Sequence, residues 1–242
     1  MERIDPDVVV IQHEDDAPMG ALEGALGRAP LRVHLVQAHR GEPLPGDLRT
    51  VDGLVVLGGG VGATDDDRAP WLPRTRDLLR EAADREIPTL GICLGAQLLA
   101  VALEGTLRRR DIPEIGLHEV TLTEKAAQDP VLSALSPDGS PVTVPQFHQD
   151  EVDRLPPGAT VLARGGGAIQ AFRVGPAQWG VQFHPEVDDR IMERWATTSS
   201  LTPAGRRPEE FAQQIRDAGE AAQAWVALLE AWTRQVAPRR RE

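Results

Sequence analysis

Short, mostly apolar segments alternate with helical stretches through the first half of the chain. The apolar segments, which predict strands, span residues 8–11, 31–36, 53–57 and 87–93. The stretches between and after them predict helices at residues 19–28, 72–85 and 95–103. Strands of this composition separated by helices are typical of a parallel sheet that is covered on both faces.

The second half of the sequence has a different pattern. Apolar and polar residues alternate over residues 116–123, 142–147, 160–163 and 169–174, which predicts antiparallel strands. Residues 179–183 again have the composition of a buried strand. We therefore expect one α/β domain over residues 1–242, with a mostly parallel open sheet flanked by helices and an added antiparallel section.

The C-terminal region carries an apolar stripe at helical spacing. Its members recur four and three positions apart and are Phe211, Ile215, Ala218, Ala222, Trp225, Leu229 and Trp232. One continuous stripe predicts a packing helix over residues 208–235 that covers its own domain rather than a partner. We expect the three arginines at 239–241 to be solvated.

The charge and the cysteine content exclude several classes of function. The chain has 242 residues, of which 37 are acidic and 26 are basic, so its formal net charge is −11. Such acidity disfavours binding to nucleic acids and to anionic membranes. A single cysteine forms neither an internal disulfide nor a cysteine-rich zinc site, and we expect no metal and no cofactor. No apolar run approaches the roughly 18 residues of a membrane span, so a cytoplasmic protein is expected.

The only cysteine lies between two glycines, in the sequence Gly91-Ile92-Cys93-Leu94-Gly95. A predicted strand leads into this segment and a predicted helix follows it, as in the G-x-S-x-G turn of hydrolases. Glycines are needed there because side chains flanking a strained strand-to-helix turn would collide with the backbone. The N-terminus of the helix favours the thiolate, which is the reactive form of cysteine. Cys93 is therefore a candidate nucleophile, and a buried structural cysteine is the alternative.

A cysteine nucleophile that expels an amine needs a group that transfers protons, and His184 is the strongest candidate. It directly follows the last predicted strand, so it would reach the same crevice as Cys93. Glu186 would hold the imidazole in the required orientation. His148 is expected to line the site. Structural roles are assigned to the other histidines, which are His13, His34, His39 and His118.

Three consecutive glycines, Gly58, Gly59 and Gly60, follow the third predicted strand. Their N–H groups can bind an oxyanion together with the N–H of Leu94, and a simple turn is the alternative. The sequence has neither G-x-x-x-x-G-K-[ST] nor a G-x-G-x-x-G after its first strand, so nucleotide binding by those loops is unsupported. The residues alone indicate an acyl-transfer enzyme with a Cys-His-Glu triad.

Two segments resemble the motifs of class I (triad-type) glutamine amidotransferases. They are G-I-C-L-G-A-Q-L-L-A at residues 91–100 and V-Q-F-H-P-E at residues 181–186, within a likeness that extends over about residues 7–195. The segments 114–116, 155–159 and 170–173 resemble the stand-alone branch related to the amidotransferase domain of GMP synthase. The resemblance implies a flavodoxin-like fold and hydrolysis of the glutamine side-chain amide through a cysteinyl thioester, which releases glutamate and ammonia.

The resemblance also implies roles for individual residues. The nucleophile, the general base and acid, and its orienting partner would be Cys93, His184 and Glu186. The N–H groups of the oxyanion hole would come from Gly59 and Leu94. Gln97 would contact the glutamine substrate. The residue pattern, rather than the resemblance, adds His148 as a second residue expected at the substrate.

Four positions depart from the family pattern. Proline, histidine, glycine and tryptophan are frequent in relatives at the positions that are here Gly60, Ala96, Glu104 and Phe147. Every triad group is present, so these differences bear on the fit of the substrate rather than on the chemistry.

Three functions remain open from the sequence. The first is a glutaminase that works alone or supplies ammonia to a separate synthetase subunit, since about 47 residues after residue 195 are too few for a synthetase domain. The second is hydrolysis of γ-glutamyl peptides or conjugates by the same triad, which the changes at Gly60, Ala96 and Phe147 favour. The third is a non-catalytic binding or regulatory module that keeps the fold.

Overall fold

The structure is a computed structural model that describes residues 5–238. Its strands in this range are β1 (Asp7–Gln12), β2 (Arg32–Gln37), β3 (Gly53–Val56), β4 (Thr89–Ile92), β5 (Thr106–Leu122), β6 (Val142–Arg154), β7 (Thr160–Gly165), β8 (Ala168–Val174) and β9 (Gln178–Val181). The α-helices in the same range are α1 (Ala21–Gly27), α2 (Leu72–Asp84), α3 (Leu94–Ala102), α4 (Asp189–Thr198), α5 (Pro208–Arg216) and α6 (Glu220–Thr233). The arginines at 239–241 lie outside the described residues.

These strands form one mixed sheet with the order β2-β1-β3-β4-β9-β8-β7-β5-β6. Neighbours from β2 to β9 in this order are parallel. Neighbours from β9 to β6 are antiparallel. The arrangement confirms the predicted α/β fold, with a parallel section flanked by helices and an added antiparallel section.

The interior parallel strands β1, β3, β4 and β9 are buried on both faces, whereas β2 at the edge of the sheet is largely exposed. In β1, Val8 and Val10 belong to one apolar cluster, whereas Val9 and Ile11 belong to a second one. The first cluster includes residues of α1, α4, α5 and α6, and the second includes residues of α2 and α3. Because successive side chains point to opposite faces of a strand, the side chains of these four interior strands meet a helical layer on either face, which explains their mostly apolar composition.

The strands β4 and β9 are neighbours although they are far apart in the sequence. Ile92 lies opposite Val181 in their parallel register. Residues that follow two adjacent parallel strands leave the sheet at the same edge. This register therefore brings Cys93 and the segment beginning at Gln182 together.

The predicted helix over residues 208–235 is two helices, α5 and α6. The chain bends at Gly219, which has a φ of +55° and therefore cannot continue a right-handed helix. The apolar stripe nevertheless packs into one core, because Phe211, Trp225 and Trp232 all belong to the same apolar cluster. Of the helices described, none is long and apolar enough to cross a membrane.

Candidate active site

Cys93 occupies the strained turn between β4 and α3. Its φ is +50°, which is unusual for a residue other than glycine, and its N–H donates to the carbonyl oxygen of Val181 over 2.8 Å. The glycines around it allow close packing of the turn on the sheet. A Cβ on Gly95 would lie 1.9 Å from the carbonyl oxygen of Val56. Cys93 thus stands at the N-terminus of α3, where the peptide dipoles favour an anion.

His184 and Glu186 form a buried pair beside this turn. His184 Nδ1 lies 2.8 Å from Glu186 Oε1, and both side chains are 3% exposed. The ring of Trp195 meets the imidazole edge to face, with centroids 4.6 Å apart. The N–H of Ala21 donates to the carbonyl oxygen of Glu186 over 2.8 Å, so α1 holds the backbone of this loop.

The surroundings of His184 favour its charged form. Burial by itself lowers its pKa, but the carboxylate of Glu186 and the sulfur of Cys93 outweigh this effect and raise the pKa to about 10. The Nε2 atom is buried and makes no hydrogen bond of ordinary geometry to any described residue. It is therefore available to a ligand at Cys93.

The glycine loop after β3 borders the same two side chains. A Cβ built on Gly58 would lie 3.1 Å from His184 Cε1 and 3.7 Å from Cys93 Cβ. Among the described residues, neither the N–H of Gly59 nor that of Leu94 has a hydrogen-bond acceptor, whereas the N–H of Gly60 interacts with the carboxylate of Glu14. Gly59 and Leu94 thus remain free to donate to an oxyanion.

A cavity of about 770 Å³ opens over Cys93 and His184. Its wall also includes Gly59, Gln97 and His148, so the structure brings the residues predicted from the sequence together. The volume falls in the range of small-molecule sites in proteins.

The two residues expected at the substrate are themselves anchored by hydrogen bonds. Gln97 Nε2 donates to the carbonyl oxygen of Asp150 over 2.7 Å and to Gln182 Oε1 over 3.2 Å. His148 Nδ1 lies 3.2 Å from the same Asp150 oxygen, and its Nε2 lies 3.1 Å from Glu114 Oε2. Both side chains are therefore fixed parts of the cavity wall.

Comparison with known proteins identifies the family. The sequence profile described as glutamine amidotransferase class-I matches residues 21–195, which is more than half of the chain. The chain belongs to the class-I glutamine amidotransferase family. The resemblance inferred from the two motifs is thereby confirmed.

Members of this family are similar to the chain over different lengths. The glutamine amidotransferase-like protein YfeJ of Salmonella typhimurium is 30% identical over 185 residues, which cover 75% of this chain and 76% of YfeJ. A glutamine-hydrolyzing GMP synthase subunit of Sulfolobus acidocaldarius is 41% identical over 103 residues, which cover 42% of this chain and 52% of that protein. The chain thus spans about half the length of the Sulfolobus relative. One solved glutamine amidotransferase, from Thermotoga maritima, is 28% identical with a TM-score of 0.82 and covers 96% of this chain and 99% of that one.

The positions that depart from the family pattern have different surroundings. Gly60 and Phe147 line the cavity, and Phe147 packs on Trp195 with ring centroids 5.5 Å apart. Ala96, in contrast, is buried under the sheet, where a Cβ on Gly180 would be 3.2 Å from it. The expectation that Ala96 reshapes the pocket is wrong, because α3 turns this side chain toward β9 instead of the cavity.

His13 lies closer to the site than the structural role predicted for it suggests. Trp71 Nε1 donates to its Nδ1 over 3.0 Å, and a Cβ on Gly59 would lie 3.0 Å from His13 Cβ. Burial, aided by the nearby His39, lowers the pKa of His13 to about 3. The ring is therefore neutral, and the His13 side chain packs against the glycine loop at Gly59.

Sequence reasoning missed other residues of the site. Trp195 lies on α4, a helix that was not predicted, although Asp188 at its N-cap accepts the N–H of Ile191 and is a recognisable start signal. Glu14 was given no role, and its carboxylate lines the cavity. Gln182 lies within the second motif but was assigned no function.

One group of buried side chains has the composition of a metal site. Glu114, His148 and Glu151 offer ligand atoms within 4.8 Å of one another. Arg108 and Arg110 both bind Glu151, and Arg110 also lies 3.4 Å from Glu114. These guanidinium groups already neutralise the carboxylates, so the cluster fits an ion-pair network rather than a metal centre.

Proposed function

We propose that this chain hydrolyses the side-chain amide of glutamine to glutamate and ammonia through a thioester on Cys93. The observation that supports it is the position of Cys93 and the His184–Glu186 pair after two adjacent parallel strands, at one cavity. Membership of the class-I family is consistent with glutamine amide hydrolysis. The roles of the individual residues are part of the proposal.

In the first proposed step the Cys93 thiolate attacks the carbonyl carbon of the side-chain amide. The N–H groups of Gly59 and Leu94 donate to the oxyanion that forms. The His184 imidazolium gives its Nε2 proton to the amide nitrogen as the C–N bond breaks, and ammonia leaves. A pKa of about 10 supports this role, since the ring carries the proton at neutral pH.

In the second step a water molecule attacks the thioester carbonyl carbon. The neutral imidazole left by the first step takes a proton from this water, and Glu186 stabilises the resulting imidazolium. The C–S bond then breaks, which releases glutamate and returns the Cys93 thiolate. The free enzyme is restored without any cofactor.

The test is to incubate the protein with glutamine and to measure glutamate and ammonia, which should appear in equal amounts. Hydroxylamine should divert the thioester to γ-glutamyl hydroxamate. We expect Cys93→Ala to abolish both products, whereas His34→Gln, at an exposed position on β2, retains activity. Turnover by Cys93→Ala at the wild-type rate would overturn the proposed nucleophile.

We also propose that a synthetase on a separate polypeptide consumes the ammonia. One relative bears the name of a GMP synthase subunit, which supports a division of the two reactions between chains. A synthetase that uses free ammonia should then accept glutamine only when this chain is added. Equal use of glutamine without this chain would contradict the proposal.

A second candidate function is hydrolysis of γ-glutamyl amides of larger amines. Among the acids that line the cavity, Asp16, Asp65 and Asp150 each pair with an arginine, whereas Glu14 has no arginine or lysine partner in the described chain. Burial raises the pKa of Glu14, which an incoming cation would offset. A carboxylate that lacks an arginine or lysine partner in the described chain and borders a cavity of this size favours a substrate that carries an ammonium group.

A panel of γ-glutamyl compounds separates the two candidates. If the second candidate is correct, a γ-glutamyl diamine has a higher kcat/KM than glutamine, and Glu14→Gln removes this preference. If glutamine is the best substrate of the panel, the second candidate fails and the glutaminase stands.

A further inference from the structure

Gln182 connects the end of β9 to the nucleophile. Its side chain is buried, and its Nε2 atom lies 3.5 Å from Cys93 Sγ, within the range of a hydrogen bond to sulfur. Its backbone N–H donates to the carbonyl oxygen of Gln170 over 2.9 Å, which fixes the position of the residue. The amide therefore points an N–H at the sulfur atom from inside the protein.

The orientation of this amide is determined by a second one. Gln182 Oε1 accepts a hydrogen bond from Gln97 Nε2 over 3.2 Å. Gln97 in turn donates to the carbonyl oxygen of Asp150 over 2.7 Å, which identifies the nitrogen end of its own amide. If the Gln182 amide were reversed, two NH₂ groups would face each other and an oxygen would face the thiolate.

The far end of this network is anchored in the β5–β6 hairpin. His148 joins the Asp150 carbonyl oxygen to Glu114, at 3.2 Å and 3.1 Å. Gln170 Nε2 donates to the same carboxylate oxygen of Glu114 over 3.0 Å. Because these groups are buried, the hydrogen bonds are protected from competing water and hold the amides rigidly.

We propose that Gln182 is a positioning residue for the nucleophile. Its N–H holds Cys93 Sγ toward the cavity and stabilises the thiolate, and Gln97 keeps the Gln182 amide in the donating orientation. A hydrogen bond to an anion is stronger than one between neutral groups, so the contact favours the thiolate over the thiol. The consequence for turnover rests on the proposed glutaminase function, but the consequence for the sulfur atom does not.

Alkylation by iodoacetamide tests the proposal directly, because the chain has one cysteine and the reaction reports on Cys93 alone. In Gln182→Leu we expect the midpoint of the alkylation rate against pH to rise by about one pH unit, a tenfold change in the thiol–thiolate equilibrium. The glutaminase kcat at neutral pH should fall about tenfold with little change in KM. A merely structural change would alter the limiting rate at high pH and leave the midpoint in place.

The matched control is Gln178→Leu. Gln178 is also a buried glutamine at β9, but its Nε2 donates to the carbonyl oxygens of Ala82 and Ile87. We expect this variant to keep the wild-type midpoint. An upward shift of equal size in the control would show a general effect of losing a buried amide and would overturn the proposal.

A second variant, Gln97→Met, tests the same idea without changing Gln182. It leaves the Gln182 amide free to reverse, so the midpoint should move in the same direction by a smaller amount. Unchanged midpoints in both folded variants would overturn the proposal, and if Gln182→Leu does not fold, Gln97→Met decides. If the variants shift the midpoint but the protein does not hydrolyse glutamine, the positioning role is supported and the proposed function is contradicted. If the protein hydrolyses glutamine but neither variant shifts the midpoint, the proposed function is supported and the positioning role is contradicted.

Discussion

Gly58 lies directly against the imidazole of His184, in a space that a methyl group would fill. A Cβ at this position would approach His184 Cε1 to 3.1 Å, which is closer than most real contacts of this kind. We expect Gly58→Ala to displace the ring from Cys93 and to lower kcat by roughly 10- to 100-fold with little change in KM. Steady-state kinetics with glutamine measure the effect.

The control for this variant is Gly27→Ala in α1, where a Cβ would meet nothing within 4 Å. It should keep the wild-type kcat and be slightly more stable, since alanine favours a helix over glycine. Wild-type kcat in Gly58→Ala would contradict the close placement of the imidazole.

The charge of His184 should give the proposed reaction an alkaline limit. Since the pKa of His184 is raised to about 10, the ring keeps its proton below that pH and loses it above, so activity should decline above about pH 10. Glu186→Gln removes a carboxylate that raises this pKa, and burial then lowers it, so the decline should begin at lower pH. We also expect kcat at neutral pH to fall by at least about 10²-fold. Glu23→Gln, at an exposed site on α1, should retain the wild-type pH profile.

His13 makes the fold sensitive to acid. Its pKa is about 3 in the folded chain against an ordinary value of 6.5, so the unfolded chain binds one more proton between these pH values. The free energy of unfolding therefore falls as the pH decreases from 6.5 toward 3. In His13→Gln this decrease should be shallower by about 1.4 kcal/mol per pH unit, as measured by urea unfolding at several pH values. If the free energy of unfolding depends on pH in the same way in the wild type and in His13→Gln, His13 is not the cause of the acid sensitivity.

Glu104 stores strain at the C-terminal end of α3. It has a φ of +75° and is exposed, at a position where the family resemblance predicts glycine. Replacement by glycine should raise the free energy of unfolding by about 1 kcal/mol, because a Cβ is unfavourable in the left-handed region. Glu104→Ala keeps the Cβ and should give no such increase. Equal stabilities of the two variants would rule out backbone strain as the cause.

Much of the site could be predicted because its backbone conformation restricts which residue types can occupy certain positions, and these restrictions are visible in the sequence. The turn at Cys93 requires glycine at Gly95, where the backbone packs on Val56, and this requirement is visible as a motif. That His184 lies beside this turn depends on the register between Ile92 and Val181, which no local pattern encodes. The resemblance to a family supplied this long-range information.

Other features could not be predicted because long-range contacts create them. The first half of β5 contains Arg108, Arg109 and Arg110, a charged run without the apolar alternation of a strand. It forms a strand because Arg108 and Arg110 bind the buried carboxylate of Glu151 on β6. The link between Gln182 and Cys93 is of the same kind, since the two residues are 89 positions apart.

The last of the described strands in sequence, β9, is inserted between β4 and β8 in the interior of the sheet. During synthesis Cys93 leaves the ribosome long before β9 and the residues that follow it, because Gln182 lies 89 positions later in the sequence. The turn at Cys93 has no neighbouring strand on that side until residues 178–186 are available, so a chain that ends earlier contains the thiol without the imidazole, the carboxylate and the amide that surround it in the folded protein. Under the proposed function, the reactivity of Cys93 therefore depends on synthesis of the chain through residue 186.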